Sequence, residues 1–212
     1  MKQKTKPKLT TKGHQRTQAM INAAIDCFLT YGYEKTSLDM IIQKSGGSRS
    51  TLYHHFKNKE GLFSAVIENL IDDIFLEVQN KMLEHKTAYQ LLEHFGFSFI
   101  NKLLEPKTMG LYRLVIAESV HFPMLGQAFN QLAPENSYKY LAQELEKLEE
   151  IKLDFEQLRH VAGFFIEMLK TNFFMKALIT PDYSPTNEEI RQQCKLCALI
   201  IGDYLLLDKK EK

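Results

Sequence analysis

The sequence predicts an all-α protein in which an N-terminal three-helix domain precedes a larger C-terminal helical bundle. Apolar residues recur at helical spacing along most of the 212 residues, and no stretch alternates apolar and polar residues as a half-buried strand would. Glycine, proline and capping residues divide this pattern into short segments, with one of the breaks expected at Pro134. We therefore expect three helices before residue 61 and five or six after it.

Composition argues against several classes of protein. Hydrophobic residues make up 44% of the chain and charged residues 25%, and no apolar run reaches the length of a membrane span. The lysine-rich start is not followed by the apolar core of a signal peptide, so we expect a cytoplasmic protein. Cys194 and Cys197 form a CxxC pair inside an apolar helical run, which favours buried cysteines over a redox or metal site. We expect no metal and no other cofactor.

The net charge of +1 conceals an asymmetry between the two ends of the chain. Residues 1–60 hold 11 Lys and Arg against 4 Asp and Glu, whereas the remaining residues hold 16 against 22. A basic head on an acidic body indicates an anionic partner for the head. A solvated basic tail is the alternative, and charge alone does not decide between the two.

Two helices are predicted at the start of the N-terminal domain. The first ends at Gly32, which suits the residue after a helix. Its apolar stripe consists of Ile21, Ala24, Ile25 and Phe28. The segment from Thr36 to Asp39 matches a capping box with Asp in place of Glu, and it opens a short helix that continues to about Lys44.

The segment between residues 36 and 56 has the dimensions of a helix-turn-helix, because a glycine turn separates two short helices. Ser48 is predicted to cap the second helix. Leu52 and Phe56 lie four residues apart on that helix and are expected to face the core. The opposite face then carries hydrogen-bond donors and positive charge.

The outer face of this second helix suits DNA. Between residues 34 and 60 the only acid inside the segment is Asp39, which we assign to a cap, and carboxylates would repel phosphates. Arg49 lies where such helices meet base edges, and a bidentate grip on guanine would give about 1–3 kcal/mol of discrimination. The arm lysines, Lys57 and Lys59 are predicted to neutralise phosphates. The full set of predicted DNA contacts is Thr36, Ser37, Ser48, Arg49, Ser50, Thr51, Tyr53, His54, His55, Lys57 and Lys59.

From Arg16 to about Val66 the chain resembles the TetR family of bacterial regulators. The resemblance is carried by residues 21–28, by Gly32-Tyr33 and Thr36-Ser37, and above all by the string at residues 48–63, Ser-Arg-Ser-Thr-Leu-Tyr-His-His-Phe-Lys-Asn-Lys-Glu-Gly-Leu-Phe. It implies a three-helix DNA-binding domain, a linking fourth helix, and a C-terminal bundle for ligand binding and dimerisation. It also implies repression as the mode of regulation.

Three positions depart from the pattern of that family. Ile42 stands where the family usually has a small residue, and Ser50 stands where glycine is frequent. Gly47 replaces an aliphatic residue in the turn and so removes an apolar anchor. We therefore expect a less rigid turn in this chain.

Two late segments are apolar almost all round, and such helices must be covered on more than one side. They span residues 155–178 and 188–206. We predict that both form a four-helix interface in a homodimer, as the TetR resemblance also implies. A helix pair fully inside one chain is the alternative.

A ligand pocket in the body is predicted among aromatic and methionine side chains, which adapt to varied apolar ligands. Plain core packing is the favoured alternative for any single one of them. Arg113 and Glu118 either pair with each other or anchor a polar ligand group, and Glu167 interrupts an apolar face. The predicted pocket residues are Phe95, Phe99, Tyr112, Arg113, Met124, Phe129, Phe165, Met168 and Asn172.

These expectations divide the chain into three segments. Residues 1–13 are predicted as a flexible basic arm, residues 14–60 as the DNA-binding domain, and residues 61–212 as the effector-binding and dimerisation domain. We expect a repressor that leaves a pseudo-palindromic double-stranded operator when a small apolar or aromatic effector binds. The alternative is an activator or a ligand-independent DNA-binding protein of the same fold. An enzyme has less support, because no enzyme signature is present. A protein-interaction module or a general DNA-binding protein is the other alternative, since basic arms bind DNA without reading its sequence.

Overall fold

The computed structural model describes residues 11–81 and 87–207, and every regular element in these two ranges is an α-helix. The predicted all-α class is confirmed. The described helices are α1 (Thr11–Lys35), α2 (Leu38–Ser45), α3 (Arg49–Phe56), α4 (Lys59–Lys81), α5 (Ala88–Leu103), α6 (Pro106–Glu118), α7 (Pro123–Glu146), α8 (Phe155–Lys170), α9 (Phe174–Ile179) and α10 (Asn187–Leu206). None of them is long and apolar enough to cross a membrane.

Helices α1, α2 and α3 form a small N-terminal unit, which we call the head. The predicted apolar stripe of α1 is buried, and Phe28 is completely enclosed. Leu52 and Phe56 of α3 belong to the same core, as predicted. Burying a leucine or phenylalanine side chain contributes about 1.5–3 kcal/mol, so these two anchors hold a helix of only two turns.

Helix α1 begins earlier than predicted and breaks where predicted. It starts at Thr11, so residues 11–13, predicted as part of the arm, are helical; residues 1–10 of the arm lie outside the described residues. At Gly32 the backbone has φ 81° and ψ 169°, a conformation that essentially only glycine adopts. The chain therefore changes direction at Gly32 before the last turn of α1.

The cap of α2 differs from the prediction, whereas the cap of α3 agrees with it. Ser37 caps α2, because its Oγ accepts a hydrogen bond from a backbone N–H of the first turn at 3.2 Å. Thr36 is buried and Asp39 lies outside the cap, so the predicted capping box is wrong. Ser48 caps α3 by accepting from the Thr51 N–H at 3.1 Å.

The α2–α3 turn is filled from α1. Gly46 ends α2 with φ 66° and ψ 18°, the left-handed conformation typical of a glycine after a helix. The Cε of Met20 occupies the place that a Cβ on Gly47 would take. Met20 is fully buried, so its thioether replaces the missing anchor. An apolar side chain from α1 thus packs beside Gly47, while the lower rigidity expected of the turn stays a prediction.

Helices α4 to α10 form the remaining unit, which we call the body. Helix α4 packs against α1 on one side and against α5 and α7 on the other, while α10 packs against α5 and α8. The described body has seven helices where five or six were expected. The predicted helix at residues 155–178 ends at Lys170 and is followed by the separate α9. Helix α7, by contrast, continues through Pro134, where the sequence suggested a break.

The three cysteines are free and buried. Burial raises the pKa of Cys194 to about 12, which disfavours the thiolate needed for metal binding or disulfide exchange. Within the described residues, no group of three or more His, Cys, Asp or Glu side chains is arranged to hold a metal ion. Cys194 lies against Gly96 of α5, so the CxxC pair contributes to helix packing.

Candidate DNA interface and effector cavity

Helix α3 presents its polar face to solvent, opposite the buried Leu52 and Phe56. Tyr53, which follows the buried Leu52 directly in the chain, is 53% exposed. The exposed predicted contacts at or beside this helix are Ser48, Arg49, Ser50, Tyr53, His54 and Lys57, whereas Thr51 and His55 are half-buried. The outward face therefore carries hydroxyls, imidazoles and positive charge.

The N-termini of α2 and α3 each carry an exposed serine cap. Ser37 begins α2 and Ser48 begins α3. The Ser48 hydroxyl also lies 2.8 Å from Thr51 Oγ1, so the two hydroxyl groups share a hydrogen bond. Free N–H groups and the helix dipole make such ends favourable for phosphate.

Arg49 and Asp39 form a two-pronged ion pair between the motif helices. The Arg49 Nε donates to Asp39 Oδ1 at 2.9 Å, and Nη2 donates to Oδ2 at 2.6 Å. Both side chains stay largely exposed, 70% for Arg49 and 62% for Asp39. From the sequence Asp39 was assigned to a cap, and this pair was not predicted because Arg49 lies on the next helix.

Lys57 follows α3 in a strained backbone conformation. Its φ is 67° and its ψ is −52°. The Asn58 N–H donates to the Phe56 carbonyl at 2.8 Å, which makes this a γ-turn of the rare form with positive φ. Among the described residues, Lys57 alone combines a side chain with positive φ. Strain of this kind clusters at functional sites, and here it falls on a predicted phosphate contact.

Two predicted DNA contacts stabilise the head itself. Lys59 Nζ donates to the carbonyls of Tyr33, Glu34 and Thr36 at 2.8, 3.2 and 3.0 Å. Burial lowers the pKa of Lys59, and its three N–H groups are all used. Thr36 is 1% exposed, and its hydroxyl lies 2.7 Å from the Gly32 carbonyl, to which it can donate. Both side chains are therefore used inside the head, and their contacts with DNA stay predictions.

No local pattern signals the role of Lys59, because its acceptors lie 23 to 26 residues earlier in the chain. The ammonium group also lies 4.4 Å from the centroid of the Tyr33 ring, a favourable cation–π distance. Lys59 therefore ties the start of α4 to the end of α1.

An aromatic cluster and one carboxylate join the head to the body. The buried Tyr33 ring packs against Phe28 and Phe63, with centroids 5.5 and 5.6 Å away, and against Phe122 at 5.1 Å. Glu118, the last residue of α6, accepts a hydrogen bond from the Tyr33 N–H at 2.9 Å. The end of α6 is thus in direct contact with the end of α1. Glu118 therefore does not pair with Arg113, which donates instead to carbonyls of α9.

A narrow cavity lies in the body among α4, α5, α6, α7 and α8. Its volume open to water-sized molecules is ≈ 30 Å³, room for roughly two water molecules. The lining residues are Leu70, Ile71, Ile74, Phe99, Leu103, Tyr112, Phe129, Ala133, Pro134, Ser137, Tyr138, Ile166, Glu167 and Lys170. An effector larger than this requires the lining to move apart.

Three of the nine predicted pocket residues line this cavity, namely Phe99, Tyr112 and Phe129. Phe95, Phe165 and Met168 belong to the packing around it. The other three lie elsewhere: Met124 on a surface hollow, Asn172 on an open groove beside α10, and Arg113 beside α9, where it donates to the carbonyls of Ala177 and Leu178. These six side chains do not line the cavity, because apolar periodicity indicates burial without showing which buried face borders a void. As ligand contacts they stay predictions.

The polar mouth of the cavity was not predicted as a site. The Tyr138 hydroxyl donates to Glu167 at 2.9 Å, and Lys170 pairs with the same carboxylate at 2.5 Å. Burial raises the pKa of the Tyr112 hydroxyl, which keeps it a hydrogen-bond donor. An apolar slot with a few polar groups is typical of small-molecule sites. Glu167 was noted in the sequence only as an interruption of an apolar face.

Helices α8, α9 and α10 each leave large apolar side chains exposed, and we call this set the α10 patch. Its large exposed side chains are Phe164, Met175, Ile179, Leu196, Leu199, Ile200 and Tyr204. The four on α10 follow helical spacing and are each about half exposed. Clustered exposed apolar side chains are unusual on a monomer and typical of a protein–protein contact.

Two family models match this chain. One, described as bacterial regulatory proteins of the tetR family, matches residues 20–66. The other, described as the C-terminal domain of AefR-like transcriptional repressors, matches residues 90–200, more than half of the chain. This chain belongs to the TetR family. The resemblance stated from the sequence is therefore confirmed.

Curated relatives are similar to this chain over part of its length. The transcriptional repressor ComR of Escherichia coli K12 is 44% identical over 54 residues, 26% of this chain and 26% of ComR. The transcriptional repressor AcnR of Corynebacterium diphtheriae is 30% identical over 90 residues, 39% of this chain and 47% of AcnR. The chain therefore matches between a quarter and a half of the length of these relatives.

Solved structures of regulators share the fold over about nine tenths of this chain. A regulator from Mesorhizobium loti superposes with a TM-score of 0.74 and 24% identity, covering 91% of this chain and 97% of the other. The flavonoid-responsive regulator FrrA superposes with a TM-score of 0.70 and 24% identity, covering 90% and 96%. At this identity the likeness concerns the fold alone.

Proposed function

We propose that this TetR-family chain is a homodimeric transcriptional repressor that binds a pseudo-palindromic DNA operator and is released by a small apolar or aromatic effector. The observation that carries the proposal is the outer face of α3, which exposes donors and positive charge while Leu52 and Phe56 anchor the inner face. The names of ComR and AcnR as transcriptional repressors support it.

The division of labour follows the two units. Residues 14–60 read DNA, residues 61–212 bind the effector and form the dimer, and the basic arm at residues 1–13 adds phosphate contacts. Arg49, Ser50 and Thr51 meet base edges at the start of α3. The DNA backbone and the groups beside it are contacted by the other predicted residues, namely Ser37, Ser48, Tyr53, His54, His55 and Lys57.

Dimerisation through the α10 patch sets the spacing of the two heads. Two copies of α3 must enter successive major grooves about 34–36 Å apart. Leu199→Glu places a charge in the patch, and we expect sedimentation equilibrium to show monomers and operator binding to be lost. Lys195→Glu adds the same side chain to an already polar position of α10 and should leave the dimer intact. A Leu199→Glu variant that remains dimeric contradicts this interface.

Effector binding must expand the cavity, since its present volume holds only water. Tyr112 brings α6 into the cavity lining, and Glu118 at the far end of α6 holds the Tyr33 N–H. A molecule that enters beside Tyr112 therefore displaces α6 and with it the end of α1. It lowers operator affinity only to the extent that it prefers the displaced state.

The experiment combines footprinting with a ligand titration. DNase footprinting upstream of the chain's own gene should reveal a protected inverted repeat, and absence of any protected repeat would falsify operator binding. A flavonoid is the first probe, because FrrA is described as flavonoid-responsive. We expect it to raise the apparent Kd for the operator, and Tyr112→Phe to weaken this effect while Tyr183→Phe, outside the cavity, does not. Operator binding without any response, or increased transcription in vitro, would favour a ligand-independent binder or an activator.

A further inference from the structure

We propose that Asp39 is a positioning residue for base recognition: its carboxylate holds the Arg49 guanidinium so that the free end of the fork contacts one guanine per half-site. This inference rests on the proposed operator binding. It assigns to Asp39 a task that neither the helix cap nor the repulsion of phosphates would give it.

The hydrogen bonds determine which edge of Arg49 remains free. Asp39 accepts from Nε and from Nη2, at 2.9 and 2.6 Å, and so takes the side edge of the guanidinium. A guanidinium has five N–H donors in a rigid plane. The end edge, formed by Nη1 and the second hydrogen of Nη2, is left unused by this pair. That edge can donate in parallel to the O6 and N7 acceptors of guanine.

The position of the pair agrees with this use. Arg49 is the first residue of α3, and the N-terminal end of a recognition helix is the part that meets base edges. Its guanidinium is 70% exposed despite the two hydrogen bonds. The carboxylate fixes the plane of a long side chain before DNA arrives, so less rotamer freedom is lost on binding.

Charge gives a second argument for a specific role. Between residues 34 and 60, Asp39 is the only acid inside the segment that carries the DNA-facing helices. Next to DNA a free carboxylate lowers affinity for every sequence. Its pairing with Arg49 cancels one positive charge of the surface, so the pair favours sequence discrimination over general attraction.

The experiment compares base preferences of four proteins by selection from a randomised operator library. We expect Arg49→Ala to lose discrimination at one G·C pair of each half-site, by about 10- to 100-fold. Asp39→Ala should lose most of the discrimination at that same pair, while its affinity for unrelated DNA rises because a negative charge is removed. The double variant should lose no more discrimination than Arg49→Ala. Asp39→Asn keeps one acceptor oxygen, so its discrimination at that pair should lie between that of the wild type and that of Asp39→Ala.

Asp26→Ala is the matched control. Asp26 forms a similarly exposed ion pair with Lys44 at 3.1 Å, so the variant removes the same charge from the head and should change no base preference. Substituting 7-deazaguanine at the selected position removes the N7 acceptor. It should weaken operator binding by the wild-type protein and leave operator binding by the Arg49→Ala variant unchanged.

Three results would overturn the inference. They are an Asp39→Ala profile identical to wild type, a uniform loss at all positions, and a gain of guanine preference, which would mean that Asp39 competes with the base. Because both side chains are exposed, thermal melts should show that every variant is folded. A wild type without any sequence preference would instead overturn the proposed function together with the inference, so the two failures are distinguishable.

Discussion

The head and the body both bury apolar residues at helical spacing, but only in the head does this spacing reveal the functional face. In α3 two buried anchors leave one polar face, and that face is the candidate DNA surface. In the body a phenylalanine lies in the core, beside the cavity or on the surface. Phe165 is 0% exposed and its neighbour Phe164 is 68% exposed. Polar recognition is thus visible in local sequence, whereas voids and apolar interfaces depend on distant partners.

Two adjacent phenylalanines, Phe164 and Phe165, give the strongest test of the comparison within the body. Phe165→Ala removes a core side chain, and we expect it to lower the free energy of unfolding by about 3–5 kcal/mol. Phe164→Ala should instead weaken the dimer, with the largest loss of stability at low protein concentration. Urea denaturation at several concentrations and sedimentation equilibrium measure both effects. Equal, concentration-independent losses in the two variants would remove the distinction between core and patch.

Within the head, the neighbours Leu52 and Tyr53 test the same distinction between a buried and an exposed side chain. We expect Leu52→Ala to lower the free energy of unfolding by about 2–5 kcal/mol, because it leaves a cavity. Tyr53→Ala changes an exposed side chain and should alter stability by less than about 0.5 kcal/mol while operator affinity falls. Urea denaturation and a gel-shift titration provide the two readouts. A Tyr53→Ala variant with normal operator affinity would show that the exposed face of α3 is misassigned.

The junction between the two units is tested at Glu118. Glu118→Ala leaves the buried Tyr33 N–H without its acceptor, and we expect a loss of about 1–3 kcal/mol. Hydrogen exchange should show faster opening of α1, since the contact lies at its end. Glu105→Ala is the control, because it removes a carboxylate from the other end of α6 where the ion pair with Lys102 is partly exposed. Similar effects of both variants on α1 would indicate that no direct coupling passes through Glu118.

The smallest change in stability is expected at Lys57 in the γ-turn. Lys57→Gly relieves the positive φ and should stabilise the head by about 1 kcal/mol relative to Lys57→Ala. Both variants lose the charge, so both should weaken binding to all sequences alike and reduce the salt dependence by about one phosphate contact per head. Thermal melts and binding at several salt concentrations measure these effects. A Lys57→Gly variant less stable than Lys57→Ala would show that the turn is not strained.

The sequence predicted those features of the head that depend on neighbouring residues. The Ser48 cap, the burial of Leu52 and Phe56, and the break at Gly32 are each indicated by a pattern of a few neighbouring residues. Lys59 was assigned to a phosphate because no residue near it in the sequence indicates its three carbonyl acceptors. These acceptors come from the other end of the head. Asp39 was assigned to a cap because its pairing with Arg49, which begins the next helix, is not visible in the sequence around it.

In the body the helices were largely predictable and the site was not. Tyr112, Phe99 and Phe129 were found because aromatic side chains often border cavities. Ser137 and Tyr138 were missed because they follow Pro134, where a helix break was expected and α7 instead continues. The cavity arises from five helices, so no single stretch of sequence describes its shape.

The thioether in the α2–α3 turn has a consequence for how such chains change during evolution. Since Met20 fills the space beside Gly47, the residues at positions 20 and 47 share one volume. An aliphatic residue at position 47 is compatible only with a smaller or displaced side chain at position 20. Substitutions at the two positions are therefore expected to be epistatic. A comparison that scores the turn alone would undervalue chains in which α1 supplies the missing volume.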